Sequence, residues 1–290
     1  MKAKHMRRWD AFTLINGVVM VLLAVIMLYP ILNVAAVSMS SYNAYVHHKM
    51  MVFPQEFDFS ASREIFHSQT AMNSLKNSIF VAVVGTSLNM LVTILTAYPL
   101  CKNKIKPARK IMLLIVFTML FSGGMIPTYL VVKGTGILNT PWALILPSLV
   151  STYNLLVLKN FFESIPDSLD ESFAIDGAGY VTTLVRLYLP LSVPVLAVVG
   201  MFYCVSNWNS FFNAMLYTSS KRNWTIMLFL REMITESADL TDVVDPQAVV
   251  IYPKTLQCTA IMVTILPILF VYPFVQRYFV KGAMIGAIKG

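Results

Sequence analysis

Apolar residues are gathered along the chain into six stretches that contain no Asp, Glu, Lys or Arg. These stretches are Ala11 to His48, Asn77 to Cys101, Ile111 to Val132, Gly134 to Leu158, Leu187 to Ser220 and Thr255 to Gln276. Each can hold the roughly 20 residues that cross a bilayer as a helix. The pattern therefore predicts an all-α membrane protein with six transmembrane helices. The predicted spans, within a single domain that covers residues 1–290, are about 12–38, 78–101, 111–132, 142–158, 190–217 and 256–280.

Composition supports the same class. Hydrophobic residues make up 57% of the 290 residues and charged residues only 12%, which is improbable for a soluble globular protein. The net charge of +8 would favour a nucleic-acid partner in a soluble chain. Here the basic residues lie in short links between spans, so we expect a lipid bilayer around the protein and no nucleic acid.

Basic residues also predict the orientation of the chain. Five of them crowd the link between spans two and three, namely Lys102, Lys104, Lys106, Arg109 and Lys110. Links rich in Lys and Arg face the cytoplasm, so with six spans both termini and the segment around Glu171 are expected on the cytoplasmic side. Residues 221–254 are then external, where their acidic run either touches a partner or is a solvated loop.

A short acidic segment, residues 164–179, separates spans four and five. Pro166 suits the start of a helix, and Gly177 and Gly179 predict the turn after it. The acidic side chains that favour the positive N-terminal end of this helix are Asp167, Asp170 and Glu171. The segment therefore predicts a short cytoplasmic helix and turn within a loop that covers 164–189.

Two apolar side chains of this helix could be buried in either of two ways. Leu169 and Phe173 are four residues apart and share a helical face. That face either enters a groove of a cytosolic partner or packs against the inner ends of the chain's own spans.

Span five combines polar and aromatic side chains. The polar positions are Tyr203, Ser206, Asn207, Asn209, Ser210, Asn213 and Tyr217. Positions 203, 206, 210, 213 and 217 have the spacing of one helical face. Polar groups in hydrocarbon need hydrogen-bond partners. This face therefore either lines the path of a hydrophilic solute, or forms hydrogen bonds to neighbouring helices and contributes to the aromatic belt at the membrane–water interface. Amides beside aromatic rings suit a sugar, whose hydroxyls need hydrogen bonds and whose C–H faces need apolar surface.

No motif for catalysis within the chain is found. The sequence has no P-loop, no nucleophile elbow and no His-Glu-x-x-His motif. Cys101, Cys204 and Cys258 are isolated, and the four histidines lack metal-ligand spacing, so we expect neither a metal nor a cofactor.

Two motifs carry a resemblance to a known family. They are Glu-Ser-Phe-Ala-Ile-Asp-Gly-Ala at 171–178 and Leu-Tyr-Leu-Pro-Leu-Ser-Val-Pro at 187–194, and the chain ends in Gly-Ala-Ile-Lys-Gly at 286–290. With six spans, this arrangement resembles the permease subunits of bacterial ATP-binding-cassette (ABC) importers, and within them the second permease of the maltose-type carbohydrate-uptake branch. The resemblance implies the type I importer fold with a cytoplasmic coupling helix.

The resemblance also implies roles and partners. The residues expected to couple the chain to an ATPase cleft are Glu171, Ser172, Phe173, Ala174, Asp176, Gly177 and Ala178. The expected partners are two ATP-binding subunits, a second homologous permease and an extracellular solute-binding protein. Ser172 and Phe173 replace the alanines that are usual in this motif, so the partner cleft is expected to admit a ring.

The leading hypothesis is therefore a permease subunit that passes an oligosaccharide through the bacterial cell membrane while its partners hydrolyse ATP. An alternative is an importer permease for a non-sugar solute. An ion-driven secondary carrier would be expected to have charges within its spans, and the six stretches contain none. A membrane scaffold that recruits a cytosolic protein through the Phe173 helix is the third hypothesis.

Overall fold

The computed structural model describes residues 11–48, 50–102, 107–121, 123–239 and 253–287, and these are mostly helical. Within them β-pairing is limited to an isolated antiparallel bridge between Ser40 and Phe57. The α-helices are α1 (Ala11–Ser38), α2 (Tyr42–His47), α3 (Ser60–His67), α4 (Gln69–Phe80), α5 (Thr86–Cys101), α6 (Ala108–Leu120), α7 (Met125–Gly134), α8 (Trp142–Ile145), α9 (Thr152–Glu163), α10 (Asp167–Ile175), α11 (Tyr180–Thr183), α12 (Leu189–Leu191), α13 (Val193–Trp208), α14 (Phe212–Tyr217), α15 (Ile226–Asp239) and α16 (Pro253–Ala287). The prediction of an all-α chain is confirmed.

In the described part, three helices are long and apolar enough to cross a membrane, or six if each bent helix pair is one span. The second span runs from Gln69 to Cys101 through a π-helical turn, Val81–Gly85, between α4 and α5. The fourth span bends by 51° between Ser148 and Thr152, and the fifth bends by 85° at Ser192. Prolines at 147, 190 and 194 lie beside these bends, where they remove backbone donors.

The chain divides into two compact units, of which the first comprises residues 1–68 and 233–263. Its core is a small cluster around Ala36, Val37, Met51 and Cys258. The Asn33 amide donates to the carbonyl oxygen of Met51 at 2.9 Å, which fixes the segment after α1 against that helix. The apolar side chains along α1 are exposed on the surface of the protein, as expected of a helix that contacts lipid.

The second unit comprises residues 69–232 and 264–290 and contains two larger clusters. One joins the end of α5 to α9 and to residues 184–188, and its buried members include Tyr98, Leu158, Phe162 and Tyr188. The other joins the π-helical turn, α7, α8 and α14 around Val81, Val132, Leu144 and Ala214.

Span five differs from its prediction. The helix does not continue to residue 217, because α13 ends at Trp208 and α14 begins at Phe212. The carbonyl oxygen freed at Ser210 accepts a hydrogen bond from the Thr225 hydroxyl at 2.9 Å. The expectation that positions 203 to 217 share one helical face is therefore wrong, because polar residues at the helix end allow the backbone to leave the helix and bond elsewhere.

Candidate functional site

The acidic helix predicted between spans four and five is α10. Pro166 is its N-cap, and Asp167 and Asp170 lie in its first turn, where their charge complements the helix dipole. The Ser172 hydroxyl donates to the carbonyl oxygen of Ser168 at 2.8 Å, so this polar residue is bonded within the helix.

The helix ends in a Schellman motif. The N–H of Ala178 donates to the carbonyl oxygen of Phe173 at 2.9 Å, and the N–H of Gly177 donates to that of Ala174 at 3.1 Å. Gly177 has φ +75°, the left-handed conformation that this motif requires. The motif turns the chain sharply after Asp176, as the two glycines in the sequence predict.

A largely buried ion pair ties α10 to the end of span two. The Lys102 ammonium group contacts both carboxylate oxygens of Asp170, at 2.6 and 2.5 Å, and the two side chains are only 12% and 17% exposed. The same ammonium lies 4.9 Å from the ring centroid of Tyr98 and 5.0 Å from that of Tyr188. We call this group, Tyr98, Lys102, Asp170 and Tyr188, the lysine cage.

The cage favours the charged form of its lysine. Burial by itself lowers the pKa of Lys102, but the hydrogen bond to Asp170 and the surrounding tyrosines outweigh burial and raise the pKa above its ordinary value. The tyrosine rings pack edge to face with a centroid separation of 5.0 Å, and Phe162 packs edge to face on Tyr188 at 5.4 Å. The cage is thus built on the core cluster of α5 and α9, and α10 is attached to that core.

Phe173 packs against the chain's own core. It is half-buried against the cluster that contains Leu158 and Phe162. This is the packing against the inner ends of the chain's own spans that the sequence left as one of two possibilities, and the part of the ring that stays exposed is available to a partner. Leu169 stays exposed, and Ile175 at the end of α10 is 86% exposed.

The outward surface of this region combines apolar and acidic groups. Glu171, Ala174 and Asp176 are exposed on or beside α10. Tyr180 and Val181, which begin α11, are also largely exposed. The surface has the mixture of apolar contact area and charge that protein interfaces use.

Two polar residues of span five bond to other helices. The Asn207 amide donates to the Asn89 side-chain oxygen at 3.0 Å and to the Thr86 hydroxyl at 3.2 Å. The Asn89 amide in turn donates to the carbonyl oxygens of Ser148 and Leu149, at 2.9 and 2.7 Å. These carbonyls lie at the bend of span four, so the two asparagines satisfy backbone groups that the bend leaves without helical partners.

Tyr203 supports the other side of the same bend. Its hydroxyl lies 2.7 Å from that of Thr93 and accepts a hydrogen bond from the backbone N–H of Ser151 at 2.9 Å. Ser151 is the N-cap of α9, and its hydroxyl accepts from the N–H of Asn154. Spans two, four and five are thus joined where span four is irregular.

Gly85 makes the contact with Asn207 possible. A Cβ at this position would lie 2.9 Å from the amide nitrogen of Asn207 and 3.3 Å from its Cγ. The glycine ends the π-helical turn of span two, a feature that occurs often at functional sites. Only a residue without a side chain fits there while Asn207 keeps its bonds to Thr86 and Asn89.

The remaining polar positions of span five have different surroundings. Ser206 is exposed and lines a pocket beside the bend of span four. Asn209 and Ser210 follow the end of α13, and Asn213 lies in α14, so these three do not line that pocket. The structure therefore brings Tyr203, Ser206 and Asn207 together and separates the rest.

The residues of spans two and four that form hydrogen bonds with Asn207 and Tyr203 were not predicted from the sequence. Thr86, Asn89 and Thr93 recur at helical spacing within the charge-free stretch Asn77 to Cys101. That spacing was a usable signal of a polar face on span two. The bend of span four had no comparable signal beyond Pro147 and the polar residues Ser148 and Ser151.

The chain is similar to known proteins over most of its length. Residues 80–284 match the family described as "Binding-protein-dependent transport system inner membrane component". Over 273 residues the chain is 39% identical to the polygalacturonan/rhamnogalacturonan transport system permease protein YtcP of Bacillus subtilis (strain 168), covering 93% of this chain and 96% of that protein. It is 41% identical over 267 residues to the protein LplC of the same organism, covering 91% and 90%.

Solved structures give the same result. The chain superposes with a TM-score of 0.85 on a crystal structure of a bacterial ABC transporter involved in the import of the acidic polysaccharide alginate. The identity is 28%, and the match covers 96% of this chain and 100% of that chain.

Proposed function

Because this chain belongs to the family of inner membrane components of binding-protein-dependent transport systems, we propose that it is a permease subunit that passes an oligosaccharide through the bacterial cell membrane. The fold is that of a type I ABC importer permease. The relative that is 39% identical is named for polygalacturonan/rhamnogalacturonan transport, and the superposed structure is of a transporter for alginate, an acidic polysaccharide. These names support a solute made of sugar-acid units.

Energy enters the chain through α10. The observation that carries this proposal is an acidic, outward-facing helix that is attached by the lysine cage to the core of spans two and four. A displacement imposed on α10 by an ATPase subunit would then reach α5 and α9 directly. The coupling residues are those of the motif at 171–178, with Phe173 fixing the helix from within and Glu171 facing the partner.

The assembly that this role requires consists of two ATP-binding subunits, a second homologous permease and an extracellular solute-binding protein. The family description itself specifies dependence on a binding protein. ATP hydrolysis is assigned to the partner subunits, and this chain binds and conducts. The outer segment 221–254 is a candidate contact for the binding protein, although residues 240–252 lie outside the described part.

The proposed topology has six spans in one permease domain, with both termini in the cytoplasm. It counts each bent helix pair as one span. It places the lysine cage and α10 on the cytoplasmic side, next to the basic link 102–110. Of that link, residues 103–106 lie outside the described part, as do residues 1–10 and 288–290.

Uptake by the reconstituted transporter tests the proposal. Proteoliposomes with the complete complex and internal ATP should accumulate trigalacturonate when the binding protein is outside, and an ionophore should not abolish accumulation. Uptake that needs an ion gradient and no ATP would instead identify a secondary carrier. If the complex does not take up trigalacturonate but takes up another class of solute when ATP is present, the assignment of the solute is wrong and the assignment as an ATP-driven permease stands.

Coupling is tested separately at Glu171. Glu171→Ala should leave the complex assembled but lower uptake per ATP hydrolysed, because the exposed carboxylate makes no ion pair within the described part of the chain. Glu64→Ala removes an exposed carboxylate from α3 and is the matched control. Equal uptake per ATP in the two variants would contradict the role of α10.

A further inference from the structure

A pocket of about 340 Å³ lies between the bend of span four and the end of α13. Its lining includes Ser151, Tyr153 and Asn154 from span four, and Phe202 and Ser206 from span five. Ser151 is twelve residues before the end of α9 at Glu163, which places the pocket about 18 Å from the cytoplasmic end of the span at 1.5 Å per residue. The pocket is therefore at the depth of the hydrocarbon core.

Two polar side chains in this pocket have no hydrogen-bond partner in the described part of the chain. Asn154 is only 5% exposed, and its side-chain amide makes no hydrogen bond there, although its backbone N–H is bonded to Ser151. The Ser206 hydroxyl is likewise without a partner in that part. An amide that opens on a pocket at membrane depth costs free energy if it stays unpaired, so lipid is a poor occupant and a hydrogen-bonding one is needed.

Two aromatic rings complete the pocket. Tyr153 is 55% exposed, and its ring centroid lies 6.2 Å from that of Phe202 with 49° between the planes. These rings offer apolar faces next to the Asn154 amide and the Ser206 hydroxyl. Stacking of C–H faces on rings, combined with amide and hydroxyl hydrogen bonds, is the chemistry that a sugar ring requires.

The pocket contains no charged group. None of its lining residues is Asp, Glu, Lys, Arg or His. A carboxylate held here would lose its hydration without gaining a cation. An occupant must therefore present hydroxyls and C–H groups to this pocket and keep any carboxylate elsewhere.

We infer that this pocket is a subsite of the transport path that binds the uncharged hydroxyl and C–H face of a sugar unit, through Asn154, Ser206, Tyr153 and Phe202. The inference rests on the proposed function and adds a selectivity rule to it. This pocket binds a sugar acid and its neutral ester alike, and discrimination by charge requires groups outside it.

Cysteine labelling in the complete transporter tests the subsite. In a chain whose three native cysteines are replaced, Ser206→Cys should react with a charged, membrane-impermeant methanethiosulfonate reagent in nanodiscs open to water on both sides. Trigalacturonate and its methyl ester should slow the reaction equally. At ten times the half-protecting concentration the slowing is about elevenfold, because the free fraction is 1/(1 + [L]/Kd). The binding protein is omitted so that its own selectivity does not enter.

Two further variants serve as controls. Val205→Cys is adjacent and exposed but does not line the pocket, so sugar should not alter its labelling. Adding Asn154→Leu to Ser206→Cys should keep the labelling and abolish the protection, because the amide is lost while the side-chain volume is nearly kept.

Three results would overturn the inference. Unreactive Ser206→Cys in an assembled complex would show that a neighbouring subunit or lipid fills the pocket. If Ser206→Cys is labelled and neither sugar slows the reaction, the pocket is open to water but does not bind sugar. Protection by only one of the two sugars would contradict recognition of an uncharged face. ATP-driven uptake of trigalacturonate by the native complex, measured in parallel, would leave the proposed function standing in each case.

Discussion

Replacing Asp170 by asparagine removes the charge that attaches α10 to span two while it preserves the side-chain shape. In the native chain the Lys102 ammonium contacts both oxygens of this carboxylate, and each side chain is more than four-fifths buried. The variant leaves Lys102 charged between the rings of Tyr98 and Tyr188, with one neutral acceptor in place of an anion.

The magnitude follows from burial. Losing one partner of a fully buried ion pair costs about 3–5 kcal/mol, whereas exposed pairs contribute about 0–1 kcal/mol. The cage is largely but not wholly buried, and the tyrosine rings retain part of the attraction for the ammonium. We therefore expect a cost of about 2 kcal/mol, which is about a thirtyfold shift toward conformations in which α10 is detached from the cage.

The assay is uptake per ATP hydrolysed in proteoliposomes with the complete transporter. Asp170→Asn should lower this ratio several-fold while ATP hydrolysis continues, because α10 can then move without moving span two. Asp167→Asn is the matched control, since Asp167 lies in the same first turn, is exposed and makes no ion pair within the described residues.

A double-mutant cycle with Lys102→Met gives the pair's own contribution to thermal unfolding of the purified complex. A coupling free energy of about 2 kcal/mol is expected. The reasoning is refuted if Asp170→Asn and Asp167→Asn give the same uptake per ATP, or if the cycle shows a coupling below about 0.5 kcal/mol.

Three further predictions concern single positions. Gly177→Ala should cost about 1–2 kcal/mol of α10 stability through its positive φ alone, since a Cβ there meets no atom within 4 Å; Gly179→Ala, with a negative φ, should be neutral in the same thermal unfolding assay. In Gly85→Ala the new Cβ would lie 2.9 Å from the Asn207 amide nitrogen and should displace it, at a cost of about 1–3 kcal/mol for the two interhelical hydrogen bonds lost. Gly200→Ala, whose Cβ would have its nearest contact at 3.7 Å, is the control. Equal melting temperatures for the two variants would contradict this close packing at Gly85. The folded-state pKa of Lys102 is raised above its ordinary value of 10.5. The ion pair's contribution to stability is therefore complete below pH 10.5 and is lost as pH rises through the folded pKa. The loss of stability caused by Asp170→Asn should accordingly be constant between neutral pH and pH 10.5.

The local features of the acidic helix could be predicted from the sequence. Pro166, the acidic first turn and Gly177 are a start and a stop that act over a few residues, and the structure has a helix over Asp167–Ile175 with a glycine turn after it. The membrane class was equally predictable, because hydrophobic length alone sets which segments can cross a bilayer. The motif at 171–178 identified the family through short-range pattern in the same way.

Other features depended on contacts between residues far apart in the chain. Lys102 and Asp170 are 68 residues apart, and Asn89 and Asn207 are 118 apart. The sequence left two uses open for the polar residues of span five, and packing decided that Tyr203 and Asn207 support the bend of span four while Ser206 faces a pocket. It likewise decided that Phe173 packs inward.

The physical reason is the range of the interactions. Hydrophobic run length, capping and turn preference act within about one or two helical turns, so the linear sequence determines which segments are helices and which of them enter the membrane. Which polar groups meet depends on how bent helices pack, because each freed carbonyl accepts from whichever donor the neighbouring helix brings within about 3 Å. The sequence thus determined which segments are apolar helices and supplied the motif at 171–178, and the tertiary structure decided which side chains attach α10 to the core, which support the bend of span four and which line a pocket.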